Sequence, residues 1–417
     1  MKPPPASGGP ASRRRAAELT PTARSRLPIP SSRVVRALTL LLLVGAVGLG
    51  AGLAFGMRGR AADEPGRSPQ LEALAQRAGP LVVYAEFGVD ADTLWAADPD
   101  DPAQRQQLGR IDHAYGYGIF PALSPDGARV AYTVLPPLTD PDAPAELWVL
   151  AVAGGQTKRL ATDVDLQAAP VWSPESDAVV ARRSEWSAAT ETDSSELLRV
   201  DLGGRESGLV QADARLFAID FSPDGAWLYY AELSPSGTDL ARVAADGGAP
   251  ETVAHLSDGF ARDWDLSPDG TQLAYLAQAP ADAGVAFVAQ VLDLASKQAQ
   301  TPLAGQPVDQ FSPVWEPRGT LTVGRVDAAA GPDAPVRLGA DGAALPTLAA
   351  PSGRPSGFDV PISWSPASAH LAVRSFAGAS AAEPGPSRVE VVGTDGQRRA
   401  LSTVSDVTIA GWLEALP

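Results

Sequence analysis

The sequence predicts an all-β chain, a seven-bladed β-propeller of four-stranded antiparallel blades, closed by its C-terminal strand and preceded by one transmembrane helix. Three observations carry this expectation. A Ser-Pro-Asp-Gly tetrapeptide recurs with a period of about 49 residues. Half a repeat stands at each end of the array. An uncharged apolar run lies ahead of it.

Composition sets the bounds. The 417 residues are 45% hydrophobic and 20% charged, which excludes wholesale disorder. The 40 Gly and 39 Pro argue against a mainly helical chain and for many short strands joined by turns. Cysteine is absent, so disulfides, thiolate metal sites, Cys nucleophiles and Cys-linked lipids are excluded. With 3 His, a His-rich metal centre is not expected.

Residues 1–36, with the span that follows, form a basic head. Residues 1–57 carry eight basic groups and one acid, Glu18. Subtraction from the totals of 33 and 49 leaves 25 basic and 48 acidic groups in 58–417. The head is thus +7 and the remainder −23. Its Pro, Ala, Ser and Arg content predicts a disordered cytoplasmic tail. Residues 37–57 carry no charge. As a helix they rise about 31 Å, enough to cross a hydrocarbon core of about 30 Å. The run exceeds the apolar stretch of a cleaved signal peptide, about 7–15 residues, and predicts an uncleaved signal anchor. The excess of Arg before it places the N-terminus in the cytoplasm and the rest outside. Residues 58–80 read as a linker.

The repeats occupy 81–417. Strong copies of the turn start at Ser124, Ser222 and Ser267, and weaker ones at Ser173, Glu316 and Ser365. Successive starts differ by 49, 49, 45, 49 and 49 residues. Pro presets φ, Asp bonds nearby backbone N–H groups, and Gly takes the left-handed conformation, so each copy is a tight reversal. A bulky apolar residue precedes each turn: Leu123, Trp172, Phe221, Leu266, Trp315 and Trp364, with Trp412 as a seventh. These side chains are expected to pack between blades. An alternating strand follows, as in Val130, Tyr132 and Val134 against Ala131 and Thr133. Further strands lead into glycine turns at Gly154-Gly155, Gly203-Gly204, Gly247-Gly248, Gly342 and Gly396. Four antiparallel strands per period make a propeller blade.

The ends decide closure. Leu81–Phe87 and Thr93–Ala97 read as inner strands lacking a first strand. Thr408–Leu413 reads as a first strand with nothing after it. Joining them completes a seventh blade and removes the free edges of an open stack.

These turns, each behind a bulky residue and ahead of an apolar strand, resemble the TolB-like propeller repeat over about residues 81–417. Related blades occur in the propellers of prolyl-oligopeptidase-type peptidases. The resemblance implies the fold, which hosts many activities.

The candidate site is acidic. The loop into each first strand carries an Asp: Asp112, Asp165, Asp213, Asp258, Asp309, Asp359 and Asp406. On a closed ring these loops share one rim, where carboxylates would focus negative potential and attract a cation or basic peptide. His113 and His255 fall on loops of the same rim, and His370 in a strand after a turn. No nucleophile elbow, phosphate-binding Gly-Lys-Ser/Thr loop or His-Glu-x-x-His motif is present. The expectation is a non-catalytic, membrane-tethered, extracytoplasmic propeller binding a protein, peptide or envelope polymer. It needs no cofactor, metal or nucleic acid. Two alternatives stand beside it: a channel-site enzyme, a lyase or hydrolase using His113, His255 and rim Asp on a metal, and a transmembrane sensor.

Overall fold

The Ser-Pro-Asp-Gly turns form as their residue types require. In Ser124–Gly127 the Gly127 N–H donates to the Ser124 carbonyl at 2.9 Å, and Gly127 has φ +71°. The Ser124 hydroxyl donates to Asp126 at 2.6 Å, and that carboxylate accepts the Ala128 N–H at 2.9 Å. The turns at Ser222 and Ser267 repeat this wiring. In two of the three degenerate copies Ser176 and Ser368 occupy the glycine place, with φ +58° and +57°, while the third keeps Gly319 at φ +82°. Gly270 also answers to its neighbour, since a Cβ there would lie 2.5 Å from Cδ of Pro223 in the preceding blade's turn.

The computed structural model describes residues 69–414, apart from 141–142, 188–191, 282–283, 306–308, 328–330 and 354. The expected tail at 1–36, the span at 37–57 and the linker up to residue 68 lie outside the described residues. No helix among the described residues is long and apolar enough to cross a membrane.

Inside the expected linker, Pro69–Ala78 form helix α1. Leu71 and Leu74 are buried, with Ala75 and Ala78 packed beside them, giving one apolar face at helical spacing. This helix was not anticipated, because the strand pattern starts only at Leu81.

Seven antiparallel sheets follow. Blade 1 holds β1 (Leu81–Glu86), β2 (Ala91–Ala97) and β3 (Arg105–Asp112). Blade 2 holds β4 (Phe120–Leu123), β5 (Arg129–Val134), β6 (Ala145–Ala151) and β7 (Thr157–Val164). Blade 3 holds β8 (Val171–Trp172), β9 (Ala178–Ser187), β10 (Thr192–Asp201) and β11 (Glu206–Ala212). Blade 4 holds β12 (Arg215–Phe221), β13 (Trp227–Ser234), β14 (Gly237–Ala244) and β15 (Glu251–Ser257). Blade 5 holds β16 (Ala261–Leu266), β17 (Gln272–Ala281), β18 (Gly284–Asp293) and β19 (Gln298–Gln300). Blade 6 holds β20 (Asp309–Trp315), β21 (Leu321–Val326) and β22 (Val336–Leu338). Blade 7 holds β23 (Phe358–Trp364), β24 (His370–Phe376), β25 (Ser387–Gly393) and β26 (Arg398–Ala400). Last comes β27 (Val407–Leu413).

β27 is the first strand of blade 1. It pairs antiparallel with β1, Val82 opposite Trp412 and Glu86 opposite Val407. The ring therefore closes as the two half-repeats require. Among the described residues six sheets have four strands, and that of blade 6 has three. Its fourth strand is reduced to one bridge, Leu338 to Ala344, because Pro346 has no N–H to continue a ladder.

The core is a set of wedges between blades. Val130, Tyr132 and Val134 pack with Leu81, Val83 and Leu94 of blade 1, whereas Ala131 joins Val179 and Leu198 of blade 3. Alternate residues of one strand thus serve two gaps, as the period-two pattern predicts. Val82 and Tyr84 with Val389 and Val391 seal the last gap, between blades 7 and 1. The bulky residues before the turns join blades. The indole N–H of Trp172 donates to Ala122 O at 2.9 Å, that of Trp315 to Asp265 O at 3.2 Å, and that of Trp364 to Thr322 at 2.9 Å. Trp412 donates to Ser363 at 3.1 Å.

Strand alternation fixes two faces. First-to-second and third-to-fourth turns share one, the turn face. Second-to-third and blade-to-blade connections share the other, the loop face.

Candidate functional site

All seven rim aspartates lie at the loop face: Asp112 ends the fourth strand of blade 1, Asp165, Asp213, Asp258 and Asp406 lie in blade-to-blade connections, and Asp309 and Asp359 stand at the start of first strands. Their side chains differ in surroundings. Asp112, Asp213, Asp258 and Asp309 are exposed. Asp112 lies 3.3 Å from Arg110. Asp165 is drawn inward, taking Arg182 Nε at 2.5 Å and the Ser184 hydroxyl at 2.6 Å. Asp406 is partly buried. Asp359 is fully buried and held by Arg398 through two hydrogen bonds of 2.7 and 2.9 Å. The continuous circle of carboxylates is corrected to an interrupted one. Where an Arg reaches the Asp, as Arg182 does Asp165 and Arg398 does Asp359, pairing withdraws it from the rim.

The histidines do not converge. His113 is 2% exposed, so it is a core residue and not a rim ligand. Its Nε2 lies 3.0 Å from Asp92 Oδ1 and its Nδ1 2.9 Å from Ala114 O. Asp92 also accepts the Ile119 N–H at 2.8 Å, fixing the loop between blades 1 and 2. His255 is half exposed in blade 4, between Asp239 at 2.6 Å and Asp258 at 3.1 Å. Hydrogen bonding to Asp239, more than to Asp258, raises its pKa. His370 of blade 7 lies 3.2 Å from Asp100 and stacks on Trp412. Among the described residues no group of three His, Asp or Glu side chains is placed to hold a metal.

The first strands hold residues that sequence reasoning missed. The position before the bulky residue is Ala122, Val171, Asp220, Asp265, Val314, Ser363 and Gly411 around the ring. Two acids in an otherwise apolar or small series was the available signal. These strands line the axial channel. Asp220 is reached by solvent yet enclosed by protein, and burial pushes its pKa up to about 6. Burial pushes Asp265 up to about 7, with a further rise from the charge of Asp220. The Trp315 N–H donates to Asp265 at 2.5 Å and favours its ionised form. Bulges lie beside this pair. Asp263 has φ +54° and Ser312 φ +28°, and the Ser312 hydroxyl donates to Asp263 at 3.2 Å. Both carboxyls therefore keep their protons to higher pH than ordinary carboxyls do. Two exposed apolar residues of the loop face, Tyr115 and Leu138, were also missed. They stand in loops outside the strand pattern, with no periodic signal.

No family model and no curated protein matches the chain by sequence. Solved structures match it in fold. Prolyl oligopeptidase B from Galerina marginata is 13% identical with a TM-score of 0.54, over 82% of this chain and 54% of that one. An acylaminoacyl peptidase from Pyrococcus horikoshii is 13% identical with a TM-score of 0.51, over 75% and 48%. TolB from Acinetobacter baumannii is 16% identical with a TM-score of 0.46, over 67% and 65%. The match thus covers about half the length of each peptidase and 65% of this TolB. The class is a seven-bladed β-propeller, with TolB proteins among the similar structures.

Proposed function

We propose that this chain is a non-catalytic binding module, a membrane-tethered extracytoplasmic propeller that takes a protein or peptide on its loop face. The observation that carries the reading is a set of exposed carboxylates on the loop face; the turn face has exposed aspartates too, but Asp126, Asp224 and Asp269 are wired into their own turns by Ser hydroxyls and backbone N–H groups. Asp112, Asp213, Asp258 and Asp309 present exposed carboxylates in or at the ends of four blade-to-blade connections on the same face of a closed ring. Such a face steers basic partners toward it. The charge split around residues 37–57 supports the tether and its direction.

The test uses photo-crosslinking amino acids placed in turn on the loop face and on the turn face of the full chain in cells. Adducts from loop-face positions, weakened when the four aspartates are changed together to Asn, are expected. Adducts from neither face, or hydrolase or lyase turnover by the purified chain on a substrate panel, would overturn the reading. A phosphatase that works only outside the cytoplasm, fused after residue 417, should be active.

The channel pair Asp220 and Asp265 favours a second reading, proton-transfer chemistry on a small molecule in the channel. Turnover lost in Asp265→Asn but kept in the rim variant would select it.

A further inference from the structure

We infer that Tyr115 and Leu138 form the apolar centre of a docking site for a basic peptide segment of a partner protein. This rests on the loop-face reading above and adds where on that face, and by what chemistry, the partner is held.

Tyr115 and Leu138 are the large hydrophobic side chains left exposed among the described residues, 60% for Tyr115 and fully for Leu138. Each sits in a tight turn of the loop face. In Ala114–Tyr117 the Tyr117 N–H donates to Ala114 O at 3.0 Å, and Gly116 has φ +81°. In Pro136–Thr139 the Thr139 N–H donates to Pro136 O at 3.3 Å, with Pro137 second and Leu138 third at φ +60°. A turn with Pro second and positive φ third takes Gly or Asn at that place. Leu accepts steric crowding there and recovers no packing, since its side chain stands in solvent. Strain without a structural return points to use.

The two loops are built to hold still. The Ala114 N–H donates to Leu135 O at 2.8 Å, joining one loop to the other. The Gly116 N–H donates to Val89 O at 2.7 Å, and the His113 backbone N–H to Asp90 O at 2.9 Å. With Pro136 and Pro137 restricting the second loop, little order remains to be lost on binding.

Charge selects the partner. Asp90 and Asp112 flank the Tyr115 loop, with Arg110 between them at 3.5 and 3.3 Å. Asp140 follows Leu138 by two residues and is exposed. Among the described residues Asp90 and Asp112 share the one Arg110 guanidinium, so this edge of the patch stays acidic. An apolar centre inside a charged rim is the anatomy of a protein interface. Its complement is a large apolar side chain flanked by Lys or Arg. An anionic membrane surface would be repelled.

The experiment pans a random displayed-peptide library on the purified full chain, then titrates the enriched peptides. Enriched sequences should carry Lys or Arg around Leu, Ile, Phe or Trp, and should bind less well as salt is raised. Leu138→Asn and Tyr115→Ser should each weaken Kd by about tenfold. The Tm of Leu138→Asn should equal or exceed that of the parent, because Asn accepts positive φ. Absence of enrichment, enriched peptides without basic residues, or affinities unchanged in both variants would overturn the inference. So would sedimentation with phosphatidylglycerol vesicles that both variants abolish. Crosslinks from the Asp213 and Asp309 loops that bypass residues 115 and 138 would sink this site and leave the loop-face reading standing. Failure of all crosslinks would sink both.

Discussion

At the scale of the residue, the turn that made the repeat visible also shows where the chain departs from it. Ser368 stands in the glycine place of its turn at φ +57°, and its buried hydroxyl has no hydrogen-bond partner. Ser176 bears the same strain, but its hydroxyl accepts the Asp126 N–H of the neighbouring turn at 3.1 Å. Ser368→Gly should therefore stabilise by about 1 kcal/mol in chemical denaturation, while Ser176→Gly gains less or nothing. The channel acids give a second prediction. Asp220 and Asp265 have folded pKa values raised to about 6 and about 7, above the unfolded value near 3.9. The folded state then holds protons that the unfolded state has released. Their contribution to stability is complete below about pH 4 and is lost as pH rises toward about 7. The fall in Tm from pH 5 to pH 8 should be smaller in the Asp220→Asn, Asp265→Asn double variant than in the parent. Neither acid was legible as a site. A carboxylate's environment depends on which neighbours the fold brings to it, and one repeat holds only half of a channel contact. The same holds for Asp359 and His113, whose partners Arg398 and Asp92 lie 39 and 21 residues away in sequence.

Elements show why the strands were readable and two other features were not. Period-two alternation is local, so strands such as Arg129–Val134 declare both faces in six residues. Helix α1 spends only two leucines on its buried face and belongs to no repeat. In blade 6 the Asp341-Gly342 turn was visible, but the strand after it fails at Pro346. The chain covers that side differently. Leu348 is buried among Val314, Trp364 and Leu371, and Ala349 O accepts Arg398 Nη1 at 2.7 Å. The Arg398 guanidinium also bonds Asp359 and Glu390, which are 0% and 2% exposed. Arg398→Met would leave buried Asp359 without a counter-charge and Glu390 with Arg388 alone, and should cost about 3–5 kcal/mol in denaturant titration. Adding Asp359→Asn and Glu390→Gln should recover much of that loss.

For the whole molecule, closure was legible because half a repeat at each end can be completed only by the other. The register of β1 on β27 confirms it, with a bulge at Val83/Tyr84. Similar bulges interrupt the first strands of blades 4, 5, 6 and 7. A chain ending at residue 405 would lose the first strand of blade 1 and expose the edge of β1. It should lose its single cooperative melting transition and be degraded by protease under conditions that spare the parent. The distribution of charge around the rim was not legible at this scale, since arginines decide which aspartates remain outside.

The pairing of β1 with β27 also imposes a schedule. Val82 and Trp412 are more than three hundred residues apart along the chain. At about 5–20 residues per second a ribosome needs some tens of seconds to travel between them. Throughout that interval the nascent β1 waits beside β2 without its other partner, an apolar ribbon open to any passing strand. The ring thus closes only after its last strand has emerged, and holdase chaperones are the natural guardians of the delay.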